Sequence, residues 1–131
     1  MGKPAAKKGD RVVGIDTHVV MVPSPAGPVP TPTPMPFDGV LDGALSPDVE
    51  IHNQAAATKG STATNTPAHV AAGGPFQTPP KDRATIEVGS ATVEINNKAA
   101  ARLRDVAMTC NDPDDAPRGT VISGSTVFVG D

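Results

Sequence analysis

The stretch VEINNKAAARLRD, Val93 to Asp105, recurs in the same chain as VEIHNQAAATKGS, Val49 to Ser61. A shortened copy, PAAKKGD, stands at Pro4 to Asp10. Superposed, Pro4, Ala55 and Ala99 fall in one column, and Asp10, Ser61 and Asp105 fall in another six residues on. The full copies begin 44 residues apart, at Val49 and Val93. Val127 to Asp131 repeats only the strand half of the phrase, and the first residues carry only its second half. Each end supplies what the other lacks. The chain is therefore expected to close as a ring of three similar units, because a fixed internal period marks one structural unit used repeatedly.

Composition agrees with one all-β domain over residues 1–131. That length suffices to bury about two-thirds of the unfolded surface. The apolar residues are mostly Ala, Val and Ile, with three Phe and neither Tyr nor Trp, which suits narrow β-structure with close backbone approach. Thirteen Gly and fifteen Pro fall short of a disordered composition. A net charge of −3 gives no footprint for nucleic acid. The single Cys excludes an internal disulfide, the start MGKPAAKKGD has no signal-peptide apolar region, and no run of eighteen apolar residues could span a membrane. These features imply synthesis in the cytoplasm without a signal peptide.

Read in order, Arg11 to Ile15 and Val19 to Val22 look like a strand pair around a turn at Asp16-Thr17-His18. Pro28, Pro30, Pro32, Pro34 and Pro36 then occupy every second position. Proline lacks a donor, so segment 23–36 is expected to be extended and to lie on an edge, with its prolines on one face and Val29, Thr31, Thr33 and Met35 on the other. Val49 to Asn53 alternates as a strand. Ala84 to Val88 and Ala91 to Ile95 suggest a hairpin around Gly89-Ser90, and Val121-Ile122 with Thr126 to Val129 suggest a closing hairpin. One short helix is expected near 99–107. Asn111 to Asp115 reads as an acidic solvated loop, since it departs from a calcium-loop pattern.

Three histidines and one cysteine carry the candidate chemistry: His18, His52, His69 and Cys110. Together they are the nitrogen and sulfur donors of a tetrahedral zinc site. Repeat position strengthens the assignment. His18 lies fourteen residues after Pro4, His69 fourteen after Ala55, and Cys110 eleven after Ala99, at corresponding bends of the three units. His52 stands where the other copies carry Asn96 and Gly130, a departure that a fourth ligand would require. Four protein ligands leave no position for water, so the expected role of one zinc is structural and no catalytic residue is assigned.

At Pro4 to Lys7 and Ala99 to Arg102 the sequence resembles the Pro-Ala-Ala-Arg signature of PAAR-repeat proteins. GPVPTPTPMPF is similar to the proline-rich segment of the PAAR-like branch. The resemblance covers essentially the whole chain, with two departures: Lys7 replaces the signature Arg, and Ala55 to Thr58 lacks the charge. It implies a single-chain β-rich cone that caps and sharpens the trimeric β-helical spike of a contractile injection machine, such as type VI secretion, a phage tail or an extracellular injection particle, for membrane puncture. It implies one tip per trimeric VgrG-like spike, with its zinc held by three His and one Cys. It also implies cargo effectors carried by other chains, assembly on the particle, transient contact with a target membrane and delivery outside or into target cells.

Two other classes remain open on the residues. A zinc hydrolase would need an open coordination position and a general base, and the chain has no HExxH. A free-standing zinc-stabilised interaction module would recruit a partner through the proline-rich strip.

Overall fold

The computed structural model describes residues 2–131. Two full repeats and a split one build two layers, a six-stranded closed barrel and a ring of small hairpins at one end of it. The barrel strands are β2 (Arg11–Val22), β3 (Val29–Gly43), β6 (Thr62–Asn65), β7 (Arg83–Ile86), β10 (Val106–Thr109) and β11 (Ala116–Ile122), in the order β10-β11-β2-β3-β6-β7. Every pairing is antiparallel, and each repeat contributes two neighbouring strands. The hairpins are β4 (Glu50–Ile51) with β5 (Gln54–Ala55), β8 (Glu94–Ile95) with β9 (Lys98–Ala99), and β1 (Lys3–Pro4) with β12 (Phe128–Val129). The third is assembled from the two ends of the described chain, with Lys3 opposite Val129 as Gln54 is opposite Ile51 and Lys98 is opposite Ile95.

The small-residue turns lock these units cyclically. Ala57 N–H donates to the Ala6 carbonyl, Ala101 to Ala57, and Ala6 to Ala101, at 3.0, 3.1 and 2.9 Å. One layer out, Lys8 N–H bonds to Ala55, Lys59 to Ala99, and Leu103 to Pro4. The three central alanines are fully buried, so a larger side chain would force the backbones apart. That is the physical reason for Ala at these positions: three backbones meet where only a methyl group fits. Above the ring the core fills with Val12, Ala63 and Ala107 from one repeat column, then Leu41, Ile86 and Val121, then Phe37 and Ala84. Gly119 completes this layer, since a methyl group there would press on Val12, Thr109 and Ala107.

The strand assignments change in four places. Arg11 to Val22 is one continuous strand, because Val12, Asp16, His18 and Val20 alternate onto the buried face and the Asp-Thr pair does not turn. No helix occurs among the described residues. Residues 98–109 instead form β9, the ring turn and β10, because the alanines are held by bonds between repeats rather than within a helix. Gly89-Ser90 and Gly124-Ser125 are not hairpin turns; the strand halves after them pair with the copy of the phrase that completes each ring unit. Of the proline segment expected to be extended over 23–36, residues 29–36 are extended in β3, whereas residues 23–28 form the turn that joins β2 to β3. Residues 29–38 pair only with β2, and β6 joins from Gly39. Pro30, Pro32, Pro34 and Pro36 are exposed, whereas Thr31 and Thr33 are half-buried and Met35 is buried.

Candidate metal centre

The barrel strands leave the alanine ring and converge on a polar cluster at their far ends. Asp16 and His18 are two apart on β2 and so share its inner face. Cys110 follows β10 directly, and His69 stands in the long connection between β6 and β7. Asp82 fixes that connection: its carboxylate accepts from the His69 N–H at 2.9 Å and from the Asn65 side chain at 3.1 Å. The Asn111 and Asp112 side chains accept the Thr17 and Val19 N–H groups, so the acidic loop is fastened to β2 rather than simply solvated.

Asp16, His18, His69 and Cys110 each aim one donor atom at a common point, and these atoms lie within 4.8 Å of one another. His69 Nε2 is 3.0 Å from Asp16 Oδ2, Cys110 Sγ is 3.3 Å from the same oxygen and 3.6 Å from His18 Nε2, and His18 Nε2 is 4.0 Å from Asp16 Oδ2. A tetrahedral ion with bonds of about 2.0–2.3 Å needs ligand atoms about 3.3–3.8 Å apart, which is the scale of this cluster. All four side chains are at least 97% removed from solvent. Phe37 and Phe76 present ring edges to His69 and His18 and wall the site with apolar surface.

The electrostatics also fit a cation. Asp16 Oδ1 and His18 Nδ1 are buried without a hydrogen-bond partner. A buried carboxylate with an unsatisfied oxygen costs free energy unless positive charge compensates it. Burial, then the charge of Asp16 and its hydrogen bond, push the Cys110 thiol up to about 12, and the backbone N–H groups of Asp82 and Arg83 offset this only in part. A metal must therefore displace the thiol proton to bind. Asp112 Oδ2, which accepts the Val19 N–H, lies 3.6 Å from His18 Nδ1, beyond hydrogen-bond distance.

The structure thus brings together three of the four sequence-assigned ligands, His18, His69 and Cys110, and replaces the fourth. His52 is exposed and lies in the β4–β5 turn, where His52 and Asn53 both have positive φ, as do Asn96 and Asn97 in the β8–β9 turn. Its ring meets the Thr126 hydroxyl at 2.8 Å. The departure from the repeat at His52 is a turn substitution, since Asn and His are among the residues that tolerate this backbone region. Asp16 takes the fourth place. Sequence reasoning treated it as a turn residue; the signal that would have found it is the two-residue spacing to His18 on a continuous strand.

Comparisons with protein-family models, curated proteins and solved structures find no match to this chain.

Proposed function

We propose that this protein is a rigid, metal-pinned tip that caps a threefold-symmetric partner, the role implied by its resemblance to PAAR-repeat proteins. The observation that carries the reading is the cyclic bonding of Ala6, Ala57 and Ala101: one chain presents three equivalent backbone units around an axis, with a single buried cluster at the opposite end. A homotrimer narrowing to the same point would need three chains to crowd one axis. Three units in one chain avoid this and still match a trimer at the broad end. The ion is zinc in this reading, because two imidazoles, a thiolate and a carboxylate in tetrahedral array suit it, and two anionic ligands neutralise its charge. With four protein ligands the centre is closed, so the metal holds β2, the β6–β7 connection and β10 together and performs no reaction.

The partner in this proposal is the blunt end of a trimeric β-helical spike of a contractile injection machine. Light scattering of the protein mixed with such a spike tests it. The expected complex contains one copy of this chain per trimer, and the free protein is a monomer. Three copies per trimer, or no complex, contradicts the proposal.

A further inference from the structure

Beyond the barrel, β2 and β3 continue as a two-stranded arm, since β11 pairs with β2 only from Arg11 to Gly14 and β6 reaches β3 only from Gly39. The two outer edges of this arm differ. Along β2, the N–H groups of Thr17, Val19 and Met21 donate to Asn111, Asp112 and the Pro75 carbonyl, and the carbonyls of Thr17 and Val19 accept from Asp112 and Gln77. That edge is covered. It also fixes which residues face which way. Thr17, Val19 and Met21 turn their backbones away from β3, so Asp16, His18 and Val20 turn theirs toward it, opposite Met35, Thr33 and Thr31. The backbones of Pro30, Pro32, Pro34 and Pro36 consequently point outward along the free edge of β3. The same parity continues at Asp38, whose N–H donates to Asn65 and whose carbonyl accepts from Thr66 on that side. Past Asp38 the free edge offers four carbonyls and no N–H, and among the described residues nothing bonds to those carbonyls.

We infer that these four prolines close the arm to strand addition and so keep the protein from pairing edge to edge with a second copy. An antiparallel neighbour must exchange both an N–H···O and an O···H–N bond at each facing pair. Against this edge it could donate but never receive. Each of its own inward carbonyls would be desolvated without a partner, which costs more than the matching bonds return. The protection answers a hazard. Ile15, 56% exposed, stands on the outer face of the arm beside the prolines, and Val29, 48% exposed, stands at the far end of the free edge on the other face, with Thr31 and Thr33. An apolar, uncovered edge is a template for self-association, and proline on the edge blocks it. Strand-mediated contact is thereby excluded from this flank of the molecule.

The test is to restore the donors. The variant Pro30→Thr, Pro32→Thr, Pro34→Thr keeps side chains suited to a strand and adds three outward N–H groups. Sedimentation and light scattering across a concentration series should show the native protein as a monomer and the variant as a self-associating species. Each restored bond should tighten association about fivefold, the equivalent of one ordinary net hydrogen bond. Hydrogen exchange should protect the new amides at 30, 32 and 34 in the associated state. Pro25→Thr, which lies in the turn of the arm outside β3, should leave the protein monomeric. If the triple variant does not fold, Pro32→Thr alone decides the question by the same readings. A folded variant that stays monomeric at every concentration, with fast-exchanging amides at the restored positions, overturns the inference.

Discussion

Asp16 is the residue on which the metal centre turns. Its carboxylate is fully buried, and one oxygen meets His69 and Cys110 while the other has no hydrogen-bond partner. Asp16→Asn should therefore have two opposite effects. Metal affinity should fall, because a charged ligand is lost. The metal-free protein should melt higher, because a buried carboxyl group with one unpartnered oxygen is removed. Chelator competition and thermal melts with and without metal check both. Cys110→Ser should abolish tight binding, and His52→Ala should leave it unchanged. Proton inventory follows from the thiol. Binding near neutral pH should release about one proton from Cys110, measurable as a buffer-dependent heat, and affinity should fall with acid. In the metal-free protein the folded thiol value of about 12 stands above the ordinary 9.0. Its contribution to stability is complete below about 9 and is lost as pH rises toward 12, so melts of the metal-free form should fall through that window. The convergence of His18, His69 and Cys110 on one buried cluster was legible because histidine and cysteine are rare here and recur at matching repeat positions. Asp16 was not, because an acidic residue beside threonine carries the same local signature in a turn as on a buried strand face. Only the pairing of β2 with β3 tells the two apart.

At the scale of elements, the hairpins around the alanine ring are held by contacts between repeats. Arg102 bonds to both oxygens of Asp105 and reaches the Gly130 carbonyl at 3.1 Å, so it binds within the chain and ties β12 to the third turn. In the first unit Lys7 pairs with Asp10, and in the second the Ser61 hydroxyl accepts from the Thr58 N–H. Arg102→Ala should cost about 1–3 kcal/mol, since it leaves the buried Asp105 without its cation. A urea melt would register this as a lower midpoint. Deleting residues 126–131 removes β12 and exposes β1. Val129 is buried while Val127 and Phe128 are 42% and 63% exposed, so one apolar side chain leaves the core. The loss is about 1.5–3 kcal/mol for that side chain, with the β1 pairing and the Gly130 contacts of Arg102 and Ser90 in addition. The truncated protein should melt well below the full chain even with zinc supplied, and unchanged melting would exclude end-to-end closure. That closure was readable from the two half-phrases at the ends. The helix expected near 99–107 was not excluded by sequence, because Ala favours helices wherever the backbone is free to coil. Here close contact among three turns selects the same residue for its size.

For the molecule as a whole, three similar units in one chain make a threefold frame with unequal contents. The frame is what the repeat predicts, and the ring of alanine bonds realises it. The contents differ at the far end, where the first unit supplies two members of the donor cluster, Asp16 and His18, and the others supply His69 and Cys110. Sequence comparison among the repeats cannot foresee that imbalance, since no repeat position demands two donors from one strand. In the proposed reading a closed four-ligand centre made by this one chain pins its barrel opposite the ring. X-ray absorption at the zinc edge, on protein purified without added metal, decides whether it does. The expected spectrum is that of one four-coordinate zinc per chain with a single sulfur at about 2.3 Å and three nitrogen or oxygen neighbours at about 2.0–2.2 Å, unchanged in His52→Ala and without sulfur in Cys110→Ser. Six light neighbours, no sulfur in the native protein, or less than half occupancy that added zinc does not restore would contradict it.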